Sequence, residues 1–231
     1  MKKLFFRFDF SPKIKKFLTT LHNTQERAIL WITRQFLPFL FPRHCPLCDK
    51  LLPYGSFIHE ECHRELPLIH SPVCMRCGKP VSSHTQEYCY DCRAFPKSFQ
   101  RGLSLFLYNK KTRPIMSAFK YQNRRGLADF FCQELCRYRL SQLRDLGADA
   151  VIPVPIHKNK YKKRGYNQAE VFGRALSKET GIALDDKCII RKKSTVPQKK
   201  LSNEMRKINL QKAFGVDRKI CSEYKTVLLV D

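Results

Sequence analysis

Eight residues between positions 45 and 92 carry side chains that bind borderline metal ions. They come in pairs: Cys45/Cys48, His59/Cys62, Cys74/Cys77 and Cys89/Cys92. Two residues separate the members of each pair, so one tight turn can aim two ligand atoms at one ion. Stretches of 10, 11 and 11 residues separate successive pairs, the length of a loop or short hairpin returning to the metal. Adjacent pairs then make two closed sites, one of three cysteines and a histidine and one of four cysteines. Such tetrahedral sulfur and nitrogen sets suit zinc. In the first set His59 is favoured because it alone restores the two-residue spacing ahead of Cys62; His63 and Glu65 are the alternatives. A site closed by four protein ligands leaves no position for substrate. Both zincs are therefore expected to be structural, replacing a core that so short a region cannot build. Pro42, Pro53, Pro67, Pro72 and Pro80 fit loop-rich modules of this kind.

A second stretch, 151–168, has a different chemistry. The apolar run Val151-Ile152 ends in Pro153-Val154-Pro155-Ile156-His157 and reads as a buried strand stopped by prolines. A basic loop, Tyr161-Lys162-Lys163-Arg164, follows, and Gly165-Tyr166-Asn167-Gln168 opens a helical pattern. Strand, cationic loop and helix N-terminus form a geometry suited to phosphate or pyrophosphate.

Lys and Arg number 44 against 20 Asp and Glu, a net charge of +24 over 231 residues. Such a surface attracts polyanions: nucleic acid, phosphorylated small molecules or anionic membrane. From Pro155 to Lys212 there are 16 Lys/Arg and 5 Asp/Glu, with Tyr161 and Tyr166 interleaved. Aromatic rings beside cations suit single-stranded DNA, through stacking plus phosphate contact. Lys120, Lys162, Lys163, Arg164, Lys199, Lys200 and Arg206 are the candidates; the bland alternative is a solvated basic face.

Eleven cysteines could build a disulfide framework, but seven of them fall in the metal-ligand spacing. The N-terminus is broken at once by Arg7 and Asp9, so no secretory signal is evident. No uncharged apolar run reaches the roughly 18 residues of a transmembrane helix. The expected compartment is the reducing cytoplasm.

The elements that must position these groups follow from periodicity. Residues 1–42 read as a basic, amphipathic extension, with Ala28, Ile32, Phe36 and Leu40 on one face of a helix from about Thr24 to Pro38. That face is expected to pack on protein rather than on a membrane. Residues 43–95 are the double zinc region and 99–231 an α/β domain. Phe99 to Asn109, with Leu103, Leu105 and Leu107 at period two, predicts a strand. Pro114 starts a helix through Tyr121, and Gly126 precedes a longer one to about Leu146. Cys132 and Cys136, four apart on that helix, read as core thiols. Ala148–Val154 is a strand, and Gln168 to Thr180 is a helix burying Ala169, Phe172, Ala175 and Leu176, with Gly181 as its cap. Ile189-Ile190 and Val227-Leu228-Leu229-Val230 are further strands. Strands alternating with helices argue for an α/β sheet with parallel members.

Several of these motifs, in this order, resemble the ComF family. The resemblance covers about residues 43–231. It includes the paired ligands, Cys62, Leu66 and Pro67, the Phe119-Lys120-Tyr121 element, the Val-Ile-Pro-Val-Pro stretch and Arg164-Gly165-Tyr166-Asn167-Gln168. It continues through Gln198, Leu201-Ser202, Arg206, Asn209 and Ala213-Phe214 to the closing Val-Leu-Leu-Val-Asp. His59 stands where that pattern has a cysteine. The Lys120 element also reads simply as an amphipathic helix with an exposed lysine.

The resemblance implies a double zinc-ribbon-like part followed by a type I phosphoribosyltransferase-like domain. It also implies a cytoplasmic role with single-stranded DNA in natural transformation. Two alternatives stand beside that role: an active phosphoribosyltransferase on a small acceptor, and a zinc-dependent adaptor in which the paired zinc modules and the helix at 24–40 recruit a competence helicase-type protein. Relatives of that fold bind phosphoribosyl pyrophosphate, usually with magnesium. By resemblance, Pro155 and His157 would flank the pyrophosphate and Arg164 would clamp its charge. Gly165, Asn167 and Gln168 would complete that side, and Asp231 would hold the ribose hydroxyls. The second acid and the phosphate loop would follow Asp231, where the sequence ends. The 231-residue form is therefore expected to be an incomplete domain that does not bind phosphoribosyl pyrophosphate tightly and is inactive as a transferase. No catalytic residue or acceptor can be named.

Overall fold

The computed structural model describes residues 42–95, 97–195, 201–211 and 213–231. The helix expected near Thr24, together with Gln198, Lys199 and Lys200, lies outside the described residues. Two compact units divide the chain: 1–45 with 49–56, and 46–48 with 57–231. In the first, the described residues form a small hairpin. His44 bridges Leu51, Cys45 N donates to Lys50 O, and Leu52 N donates to Arg43 O.

The second unit begins with two five-residue helices, α1 (Glu60–Arg64) and α2 (Tyr90–Ala94). It continues through α3 (Arg113–Tyr121), α4 (Leu127–Arg144), β1 (Ala150–Pro153), α5 (Lys158–Arg164), α6 (Gln168–Thr180) and β2 (Ala183–Leu184). Then follow β3 (Ile189–Arg191), α7 (Asn203–Leu210), β4 (Phe214–Val216), α8 (Arg218–Cys221) and β5 (Val227–Val230).

Every residue of β1 is apolar and buried, the mark of a strand covered on both faces. It lies between β2 and β5 and pairs with both in parallel. The crossover from β1 to β2 is α6, whose Gly173 lets helix and sheet approach closely. A Cβ there would stand 2.9 Å from Leu184 and 3.4 Å from Val151. The core combines Ile115 of α3, Leu143 of α4, Val151 and Ile152 of β1 and Leu176 of α6. A separate antiparallel pair, β3 with β4, holds Ile189 opposite Val216. The architecture is mixed α/β, with a zinc-ribbon-like module ahead of a parallel sheet, and is consistent with a phosphoribosyltransferase-like fold.

Three expectations change. The basic segment 158–164 is a helix, not a loop: His157 Nδ1 accepts from Asn159 N, and Gly165 closes the helix at φ +76°. The segment 99–109 is extended but forms only a bridge, Leu68 with Phe106, flanked by bonds from Leu107 N to Pro67 O and from Ile69 N to Leu105 O. Its partner strand carries Pro67 and Pro72, which have no N–H to continue a ladder. Finally, Cys188 and Cys221 are joined as a disulfide, with Cα atoms 5.5 Å apart.

Candidate metal centres and the strand-end site

The cysteine pairs are built on a repeated plan. The first member of each set opens a knuckle: Asp49 N donates to Cys45 O, and Gly78 N donates to Cys74 O, at 2.9 Å in both. The chain then turns through positive φ, +58° at Asp49 and +72° at Gly78. The third member caps a short helix in extended backbone, His59 before α1 and Cys89 before α2. The fourth, Cys62 or Cys92, lies three residues on, within that helix. Knuckle plus helix cap brings four ligand atoms together in each set: Cys45, Cys48, His59 and Cys62, and Cys74, Cys77, Cys89 and Cys92. Within a set the atoms lie within 4.8 Å of one another.

The spacing fits zinc. Tetrahedral Zn–S bonds near 2.3 Å put two sulfurs about 3.8 Å apart, and Cys77 Sγ lies 3.6 Å from Cys89 Sγ. Cys48 Sγ is 3.3 Å from His59 Nδ1. Burial opposes a thiolate at Cys74, yet backbone N–H groups of Cys77, Cys89 and Arg76 bring it down to about 6. Burial, and then the neighbouring thiols Cys77, Cys89 and Cys74, push Cys92 up to about 12. Burial also raises Cys77. Four thiols packed this closely cannot all ionise by themselves; a dication at their centre removes that penalty.

The alternative ligands of the first set are engaged elsewhere. His63 Nε2 bonds Glu134 Oε2 at 2.6 Å and packs edge-on against Phe130. Glu65 pairs with Lys111 at 3.1 Å. Glu134 is buried and also meets Arg137 at 3.2 Å, while Arg139 of the same helix donates to Ile69 O and Ser104 O. Helix α4 thus anchors the segment 63–106. No local sequence pattern signals this, because the partners lie 35 to 71 residues apart.

At the carboxyl ends of the strands, Val154 N donates to Val230 O at 2.7 Å, so Asp231 emerges beside Val154 and Pro155. Asn167 caps α6 through Ala169 N at 3.2 Å and donates to Val154 O at 3.1 Å. Its amide therefore holds the helix start against the loop after β1. Arg164 donates to Gln168 Oε1 at 2.7 Å, joining the end of α5 to the start of α6. His157 caps α5. Lys120, Gln168 and Asp231 all border one open groove of about 930 Å³, with an apolar lining that includes Phe119 and Phe172.

Of the basic candidates, Lys162 and Lys163 are exposed on α5 and Lys120 is half-buried at the end of α3. Arg206 is exposed on α7. The structure also brings in Arg125, which no sequence motif marked, and Tyr121, which the sequence marked only within the Phe119-Lys120-Tyr121 element. Arg164 lies 5.0 Å over the Tyr121 ring and Arg125 4.7 Å over the Tyr166 ring. The signal for Arg125 in the sequence was the neighbouring Arg124.

A double zinc ribbon domain matches residues 36–93. The DNA utilization protein YhgH of Escherichia coli K12 is 26% identical over 191 residues, 81% of this chain and 83% of that protein. Competence protein F of Haemophilus influenzae is 29% identical over 168 residues, 69% of this chain and 71% of that protein. Competence protein ComFC of Bacillus subtilis is 24% identical over 172 residues, 65% and 70% of the two chains. No solved structure matches. Paired ribbon ligands ahead of a parallel α/β sheet, with relatives of this kind along most of the sequence, support a ComF-family assignment.

Proposed function

We propose that this protein is a competence-type DNA-handling protein. On this reading two structural zincs hold its N-terminal part, and its α/β domain works on single-stranded DNA during natural transformation. The observation that carries the reading is the similarity along most of the chain to proteins named for competence and DNA utilization. The charge of +24 supports it, because phosphate neutralisation supplies much of any protein's affinity for DNA. Each cysteine set would hold one zinc, with Cys45, Cys48, His59 and Cys62 at the first and Cys74, Cys77, Cys89 and Cys92 at the second. Among the described residues, no helix is long and apolar enough to cross a membrane. A cytoplasmic location fits ribbon cysteines that are not joined as disulfides; the Cys188–Cys221 bond is the feature that pulls the other way. The test is replacement of competence protein F in Haemophilus influenzae by this protein. Restored transformation supports the reading, and no restoration by a well-expressed, zinc-loaded protein contradicts it.

A second reading, binding of phosphoribosyl pyrophosphate, draws on the strand ends. The Val154–Val230 bond sets Asp231 beside Pro155, and the α5–α6 junction carries Arg164, Gly165 and Gln168. Asp231 is the acid that would meet the ribose hydroxyls, and magnesium would enter with the pyrophosphate. The test is calorimetry, with magnesium present, on a form that carries a phosphate loop after Asp231. A micromolar Kd lost in Asp231→Asn supports the site, and no heat of binding removes it.

A further inference from the structure

Helices α3 and α5 end side by side, and what they present there is an exposed aromatic ring backed by a cation. Tyr121, the last residue of α3, is 65% exposed, yet its ring lies beneath the Arg164 guanidinium at 5.0 Å. Arg164 is fixed from a second side by its 2.7 Å bond to Gln168 Oε1. The two helix ends are bolted together beneath this pair. Buried Tyr166 donates its hydroxyl to Phe119 O, and its ring packs on Phe119 at 6.4 Å. Arg125 covers the Tyr166 ring and donates to Gly165 O at 3.3 Å. A second ring, Tyr161, is 49% exposed on α5, three residues before Arg164.

The charge around the ring has one sign. Residues 113–128 hold four Lys/Arg and 150–169 hold five, and neither stretch contains an Asp or Glu. Lys162 and Lys163 are exposed on α5, and Lys120 precedes Tyr121. Self-repulsion among so many cations does nothing for folding; a polyanion relieves it. An aromatic ring that is exposed but already oriented by a guanidinium has lost little freedom left to pay on binding. Bases stack on such rings whatever their identity, and paired bases inside a duplex present no free face.

We propose that Tyr121, held by Arg164, is a stacking platform for a base of single-stranded DNA, with Lys120, Lys162 and Lys163 meeting the flanking phosphates. This rests on the DNA-handling reading and names the surface and the chemistry within it.

The experiment measures binding of a fluorescent dT20 strand by anisotropy across a salt series, with the zinc-loaded full chain. Tyr121→Ala should weaken binding about tenfold, with an unchanged salt slope, while Tyr121→Phe stays near wild type. Lys162→Ala with Lys163→Ala should weaken binding and flatten the salt slope. A 5-iododeoxyuridine strand should photo-cross-link at Tyr121. Zinc content and circular dichroism check that each variant is folded; Tyr121 is exposed and leaves no core void. Wild-type affinity in Tyr121→Ala, or equal affinity for duplex and single strand, overturns the platform while leaving DNA handling in place. No binding of dT20 by the wild type overturns both.

Discussion

The ribbon residues and the α/β sheet solve the same problem by different means. Around the second cysteine set the buried apolar residues are the ligands themselves, Cys74, Cys89 and Cys92, with the fourth ligand Cys77 and with Val81 and Tyr88 packed against them. In the sheet the buried residues are Val151, Ile152, Leu143, Leu176 and Ile115, which need no ion. One part is therefore conditional on metal and on thiolate chemistry. The other stands on burial, worth about 25 cal/mol per Å² of apolar surface removed from water.

The largest effect that can separate the two is loss of a ligand. Cys89→Ser should abolish the second zinc and expose the amides of 72–92 to hydrogen exchange, while β1 and α6 stay protected. Exchange protection lost equally in both regions would break the distinction. The reciprocal change is Ile152→Ala, which should cost the α/β part about 2–5 kcal/mol and leave zinc content intact. Denaturant unfolding together with metal analysis reads both.

Gly78→Ala tests the knuckle. It puts a Cβ at φ +72° and 2.9 Å from Ser104 N, against backbone rather than a yielding side chain. A cost of about 1–2 kcal/mol for the left-handed backbone alone is expected, read as weaker zinc retention against a competing chelator. The matching position Asp49 already tolerates φ +58°, so Asp49→Gly should hold zinc at least as well. Glu134→Ala should cost about 1.5–3 kcal/mol, because it strips a buried acceptor from His63 and Arg137.

The smallest effect concerns acid. Backbone N–H groups of Thr226 and Lys225 hold the Asp149 carboxyl below its ordinary 3.8. A depressed carboxylate stabilises the fold above that value and loses its contribution as pH falls through the lower, folded-state value. Melting of Asp149→Ala should therefore fall less steeply than wild type below pH 3.8.

What could be read from the sequence follows this division. Ligand pairs are legible because the chemistry restricts residue type and the turn fixes the spacing, so both sets and their sharing scheme were visible. The strands at Ala150 and Val227 and the helix closed by Gly181 were visible through apolar runs and a glycine cap. Helix α5 was not, because Lys158–Arg164 has no buried residue to give it a period. Its signals were a histidine cap and Gly165. Strand β4 is three residues with a central glycine and carries almost no pattern. The Arg164–Tyr121 pair and the His63–Glu134 bond join residues 43 and 71 positions apart, and no local rule reaches that far.

The most direct test of the account is the native mass of the untagged protein, before and after chelation. Two bound zinc ions per chain before chelation, and one in Cys89→Ser, are predicted. A wild-type protein that carries no zinc when purified without chelator, or a Cys89→Ser variant that still carries two, would contradict it.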